Sequence, residues 1–509
     1  MQRKKRILYF IGGLALFFIL AYFWYLDYLS LVRIKSESNE DILGYWKEFT
    51  VHDENEYERS LIKIDQDKKG KLRAFYVDLR PSCLLRQNIR KIEYRDGILA
   101  YGFPEWGDGR TTFEGRLTQD KNKIKEITDS EYKKVWVRLR DPDTISSLRS
   151  LESAIKRSKK IAYHYKVPDN TGDGWLCAAL DKVEVESHLI TDMIIRILKG
   201  KYDDIHNIII IKDGKIALEE YFQENGKFHG PPVTLWYRDR KHLLASATKS
   251  ITSILVGIAE SEGYITDLEV PVLTFFPEFD YLKNQEKANI KLKHLITMTA
   301  GLEWQQGIKD PGDVSKMWQT DDIARFYLEK PLVQIPGEKY IYSNANSTLL
   351  GIIVEKASGM DVETFSKKFL FSPLDISNYD WARYPDGSID TDGGLALRPR
   401  DMAKIGQLFL NDGICKGRQI VSTGWIKDST GKQVKRNDNL WYGFMWWRRT
   451  LNVDGKQIDS FYAFGWGGQY IFVVPDFNMV IVSNALNFTY KSERFLVNII
   501  EDFILPAVM

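Results

Sequence analysis

Two hairpin signals far apart in the chain decide most of what it can fold into. The first is Asn207–Lys212, an Asp213-Gly214 turn, then Lys215–Phe222. Apolar runs on either side of Asp-Gly are a strong hairpin signature, because that dipeptide accepts the positive φ that a tight turn needs. The second is Gln469–Val474, a Pro475-Asp476-Phe477-Asn478 turn, then Met479–Ser483. Helical patterns lie between them, and two more flank the pair, at Val183–Leu198 and Lys491–Leu505. Strands, then helices, then strands again argue for one α+β domain over 165–509. The two hairpins are expected to share an antiparallel sheet, with the central helices packed on it and forming an added helical region.

Among those helices, Ala245-Ser246-Ala247-Thr248-Lys249-Ser250 opens a stretch with Ile251, Ile254, Leu255 and Ile258 on one face, and Gly263 stops it. The spacing i, i+3, i+4, i+7 is that of a helix with one buried stripe. Ser246 then sits at the helix mouth with Lys249 one turn on, on the same face. A hydroxyl beside an amine, at the positive end of the helix dipole, is one way to build a nucleophilic serine without histidine. Ser-x-x-Lys also occurs at Ser60/Lys63, Ser130/Lys133, Ser153/Lys156 and Ser429/Lys432. Only the copy at Ser246 opens a long apolar helix.

Two further stretches fit the same chemistry. Tyr342-Ser343-Asn344 follows the Pro336-Gly337-Glu338 turn and precedes an apolar helix expected from near Leu349. Tyrosine can relay a proton, and asparagine can hold a carbonyl or an amine. Gly465-Trp466-Gly467-Gly468-Gln469 leads into a strand, and glycines there let backbone approach a ligand. The N–H groups of Ser246 and Gln469 would form an oxyanion hole. His294, at the head of an apolar helix, reads as structural.

Taken in this order, the segments resemble the serine β-lactamase and penicillin-binding superfamily, most closely its class C β-lactamase-like branch with esterases and amide hydrolases. The resemblance also includes His294–Leu302, Gly393-Gly394-Leu395, Arg400-Asp401-Met402-Ala403 and Tyr442-Gly443-Phe444. It implies a β-lactamase-like fold over 165–509, with Ser246, Lys249 and Tyr342 catalytic. Asn344, Trp466, Gly468 and Gln469 would contact the substrate, with no metal and no cofactor. Where β-lactamases carry Lys-Thr-Gly, this chain has Trp466-Gly467-Gly468. Tryptophan supplies no cation for a carboxylate and offers an apolar wall instead. The implied activity is two-step acyl transfer on a small ester or amide, with a neutral, desolvated Lys249 as base and Tyr342 as relay. The alternatives are a penicillin-binding protein, D-amino-acid peptidase or β-lactamase acting on cell-wall material, and a non-catalytic surface sensor.

The rest of the chain sets the location. Residues 1–6 are basic, and Ile7 to Leu26 carry no charge, with Trp24, Tyr25 and Tyr28 at the far end. Twenty helical residues span roughly 30 Å, a bilayer's hydrocarbon thickness. This predicts a signal-anchor over 7–28, its N-terminus cytoplasmic and the hydrolase periplasmic or extracellular. Short alternating runs over 40–141 predict a small antiparallel barrel or sandwich, and 142–164 reads as a helical connector. Gly44-Tyr45-Trp46 is similar to the Gly-x-Trp of lipocalin-like barrels, its tryptophan plugging one end. A balance of 71 basic against 69 acidic residues gives no reason to expect a nucleic-acid partner. Three scattered cysteines make neither a disulfide framework nor a zinc site.

Overall fold

The computed structural model describes residues 43–52, 55–66, 72–77, 86–95, 98–102, 111–119, 123–126, 133–138 and 140, then 163–202, 205–222, 238–284, 286–306, 312–486 and 494–509. The basic tail at 1–6, the apolar run at 7–28 and residues 142–162 of the connector lie outside these. Among the described residues no helix is long and apolar enough to cross a membrane.

The first unit contains eight strands: β1 (Gly44–His52), β2 (Asn55–Gln66), β3 (Leu72–Val77), β4 (Arg86–Arg95), β5 (Ile98–Gly102), β6 (Thr111–Leu117), β7 (Lys123–Glu126) and β8 (Lys133–Arg138). Each pairs with the next, and β1 pairs with β8, so the barrel closes and leaves no sheet edge. Trp46 is fully buried. The Arg138 guanidinium lies 4.4 Å from its ring centre and donates to the Leu43 carbonyl at 3.0 Å. A cation stacked on an indole and bonded to the chain just before β1 holds the two ends of the barrel sequence together.

The second unit is built on a nine-stranded sheet. Its strands are β9 (Leu176–Cys177), β10 (Ile205–Lys212), β11 (Lys215–Tyr221), β17 (Val434–Asn437), β18 (Leu440–Tyr442), β19 (Trp447–Val453), β20 (Lys456–Gly465), β21 (Gln469–Val474) and β22 (Met479–Ala485). Three small strands, β12 (His242–Leu243), β13 (Tyr379–Trp381) and β14 (Leu395–Leu397), form a separate sheet, and β15 (Ile414–Cys415) pairs with β16 (Arg418–Gln419). The order of the large sheet is β17-β18-β19-β20-β21-β22-β10-β11-β9. Both expected hairpins are present, and they share the sheet, because β22 pairs with β10 as well as β21, Ile209 opposite Val482. Ile208 to Ile211 are all fully buried, as befits a central strand covered on both faces.

Three longer helices lie wholly in this unit, α2 (Thr248–Ser261), α3 (Asn344–Ser358) and α4 (Pro399–Leu410), and a further one, α1 (Ser187–Leu198), belongs to it as far as Met193. Helix α4 lies directly on the sheet; a Cβ on Gly406 would stand 2.5 Å from Val480. Gly257 likewise brings α2 against the Trp425 indole, where an added Cβ would collide with the ring. Three expected boundaries shift. The helix expected from Val183 begins at Ser187, because Glu184 adopts φ 57 after a short turn. The helix expected near Leu349 begins five residues earlier, at Asn344. The closing helix is α-helical over Phe495–Ile499 and widens to a π turn over Ile500–Ile504.

Candidate active site

Ser246 lies in a single 3-10 turn, Ala245–Ala247, that runs straight into α2. Ala245 holds φ +47, a left-handed conformation unfavourable for a residue with a Cβ, and such strain persists only where the surroundings enforce it. Those surroundings are visible. The Leu244 N–H donates to the Leu395 carbonyl at 2.8 Å, and the Leu395 N–H donates to Thr248 Oγ1 at 3.4 Å. Strand β14 therefore grips the chain on both sides of the serine. Behind it Gly465, the last residue of β20, abuts the Leu244 carbonyl so closely that a side chain there would collide with backbone.

Lys249, 1% exposed, points back from α2 and donates to Ser246 Oγ at 3.1 Å. It also donates to the Asp392 carbonyl oxygen at 2.7 Å and reaches Asp392 Oδ1 at 3.4 Å. Its Nζ stands 5.2 Å from the centre of the Tyr342 ring. The sequence reading expected a neutral amine here. Burial pushes the Lys249 pKa down, but Tyr342, Asp392 and then Asp390 outweigh it and hold the amine above the ordinary lysine range. That balance favours the ammonium form.

Tyr342 comes from the loop ahead of α3, and the His294–Leu302 segment braces that loop. The Ile341 N–H donates to the Met298 carbonyl at 2.8 Å, the Ser343 N–H reaches Met298 Sδ at 3.5 Å, and the Gly337 N–H donates to the Thr299 carbonyl at 2.8 Å. Gly337 has φ +95 and lies so near His294 that a Cβ would be 3.2 Å from Nε2. His294 accepts the Lys291 N–H at Nδ1, 3.2 Å away, and burial and Lys291 lower its pKa. It is a neutral brace at a helix start, as its sequence position suggested.

Asn344, the first residue of α3, does not bond Lys249. It donates through Nδ2 to Asp392 Oδ1 at 2.6 Å and accepts Gln306 Nε2 at 3.3 Å. Its link to the amine therefore runs through Asp392. Sequence reasoning missed Asp392; its one signal was its place immediately before the Gly393-Gly394-Leu395 match, read only for its glycines.

At the other wall, Trp466 and Gly467 form a tight turn after β20 and Gly468 closes it, with φ +87 at Gly467 and +105 at Gly468. A Cβ at Gly468 would lie 2.5 Å from Phe495, so glycine is required on both counts. Gln469 opens β21 opposite Gly465. Its side chain is buried and engaged, Nε2 donating to the Ala485 carbonyl at 2.6 Å and Oε1 accepting Asn484 Nδ2 at 3.0 Å. Only its backbone remains to serve a substrate. Trp466 is 51% exposed. Ser250, one turn beyond Ser246, is buried and donates to the Met445 carbonyl at 2.6 Å.

The profile of the beta-lactamase family matches residues 207–494. A 6-aminohexanoate-dimer hydrolase from Paenarthrobacter ureafaciens is 26% identical over 275 residues, 48% of this chain and 66% of that protein. The flp protein of Staphylococcus aureus is 27% identical over 175 residues, 34% of each. The chain thus spans less than two thirds of either relative. Among solved structures, a candidate 6-aminohexanoate-dimer hydrolase from Bacillus anthracis is 21% identical with a TM-score of 0.49, covering 59% of this chain and 79% of that one.

Proposed function

The chain belongs to the beta-lactamase family of serine hydrolases, and on that premise we propose that it cleaves a neutral ester or amide through an acyl-enzyme on Ser246. The observation that carries this reading is the 3.1 Å contact between Lys249 Nζ and Ser246 Oγ at the mouth of α2, with Tyr342 beside the amine. Ser246 attacks the carbonyl, and the oxyanion rests on the N–H groups of Ser246 and Gln469. With Lys249 an ammonium, Tyr342 is the group left to accept the serine proton and pass it to the leaving group; water then releases the acyl group. The half-exposed Trp466 in place of a cation supports an uncharged substrate end. The similarity to a 6-aminohexanoate-dimer hydrolase is in keeping with a substrate other than an antibiotic.

The apolar run at 7–28 would anchor the enzyme in a membrane with its catalytic domain outside the cytoplasm. Labelling with a fluorophosphonate probe tests the nucleophile. The Ser246→Ala variant should lose the label and about a thousandfold or more in kcat. The Ser250→Ala variant should keep the label, since that hydroxyl is committed to Met445. A label that survives Ser246→Ala would place the nucleophile elsewhere.

A further inference from the structure

Asp392 is 4% exposed, and its carboxylate is fully engaged. Oδ1 receives Lys249 Nζ at 3.4 Å and Asn344 Nδ2 at 2.6 Å; Oδ2 receives Thr348 Oγ1 at 3.3 Å and the Tyr384 hydroxyl. Its backbone carbonyl already takes Lys249 at 2.7 Å, which is enough to orient an amine. A buried negative charge adds what a carbonyl cannot, a preference for the protonated form of its neighbour.

The segment is also fixed in place. The Thr391 carbonyl accepts Thr252 Oγ1 of α2 at 2.6 Å and Ser347 Oγ of α3 at 2.7 Å, and Thr391 Oγ1 donates back to the Ser347 carbonyl at 3.0 Å. A second acid stands behind. Asp390 accepts the N–H groups of Asp392 and Gly393 at 3.1 and 2.8 Å and the Tyr384 hydroxyl at 3.3 Å. Burial and the nearby Asp392 push its pKa up to about 7. The groups facing Lys249 are therefore Ser246 from its own turn, Tyr342 from the loop ahead of α3, and Asp392 with Asp390 from the segment ahead of β14. Tyr384 lies behind the two acids. Among the described residues, Lys249 is the one cation within ion-pair distance of Asp392.

We propose that Asp392 is a positioning residue for this reaction, its fixed charge holding Lys249 as an ammonium aimed at Ser246 Oγ, so that the serine proton goes to Tyr342. The proposal rests on Ser246 being the nucleophile. As the Oγ–C bond forms, the Oγ proton passes to the Tyr342 oxygen; as the scissile C–O or C–N bond breaks, Tyr342 hands a proton to the leaving group, and Lys249 keeps its own three.

The test is kcat and kcat/KM against pH on the full chain, with a p-nitrophenyl ester. The Asp392→Asn variant should lose about tenfold or more in kcat with KM nearly unchanged, and both limbs of its profile should move to lower pH by about one unit. The sign follows because removing a negative charge makes each neighbouring group release its proton sooner. Asp392→Glu should bring the limbs back. A purely structural role would scale the profile down without sliding it, and unmoved limbs overturn the proposal. Should Asp392→Asn not fold, Tyr384→Phe keeps the carboxylate but removes a donor from it, and should slide both limbs to higher pH; no slide overturns the proposal as well. A fluorophosphonate label that persists in Ser246→Ala sinks the serine reading itself, whereas a label lost there with unmoved limbs in Asp392→Asn sinks only the role of Asp392.

Discussion

On the proposed reading, Trp466 would meet an incoming substrate with an indole where a β-lactamase presents a cation to a carboxylate. A carboxylate-bearing substrate would lose hydration there without gaining an ion pair. An unpaired desolvated charge costs several kcal/mol, and each 1.4 kcal/mol is about tenfold in rate. A penicillin should therefore be turned over at least about a hundredfold less efficiently than a neutral p-nitrophenyl ester, in kcat/KM. Trp466→Lys should narrow that gap, chiefly through the anionic substrate. Equal wild-type values for the two substrates would restore the antibiotic-hydrolase reading.

Helix α3 and the segment carrying Asp392 meet at Gly351, where a Cβ would stand 2.6 Å from Thr391 Oγ1 and 3.1 Å from its Cβ. Gly351→Ala should thus push the two elements apart, costing about 1–3 kcal/mol in denaturant unfolding, and lower kcat by shifting the carboxylate behind Lys249. Gly424→Ala, with open space around it, should do neither. An unchanged unfolding midpoint in Gly351→Ala would show that the contact yields freely. What could be read from sequence divides along the same line. The hairpins and the Ser246 helix were legible because their signals are local: a turn dipeptide, an apolar stripe, a glycine stop. The first turns of α3 were not, since Asn344, Asn346, Ser347 and Thr348 are polar and read as loop. Their partners are remote; Asn346 accepts the Tyr327 hydroxyl at 2.7 Å, and Ser347 bonds Thr391. The surroundings that raise the Lys249 pKa were hidden for the same reason. Burial could be guessed from its neighbours in the helix, but the acid that reverses its effect lies 143 residues away in the chain.

At the scale of the whole molecule, distant parts of the catalytic unit are tied by one buried guanidinium. Arg400, 2% exposed, donates to both oxygens of Glu219 on β11, at 2.8 and 2.6 Å, and to Asp173 at 3.1 Å. Its place in the Arg400–Ala403 match was legible, but its partners were not. The proposed anchor is a question for the full chain too. An uncharged run of this length behind a basic cluster should be retained, so N-terminal sequencing of detergent-extracted protein should begin near residue 1. A start beyond residue 26 would mark the segment as a cleaved leader.

The pairing of β10 with β22 also has a consequence in time. Asn207 Nδ2 bonds Asn484 Oδ1 at 2.8 Å across 277 residues of chain. During synthesis at roughly 5–20 residues per second, β10 waits on the order of ten seconds or longer for that neighbour. Until then Ile208 to Ile211 present an open, apolar edge of the kind that recruits other strands. The same interval leaves the turn after β20 and the head of β21 unmade, so the Gln469 N–H proposed for the oxyanion hole is not yet in place. The open apolar edge thus comes before the completed site in the order of synthesis.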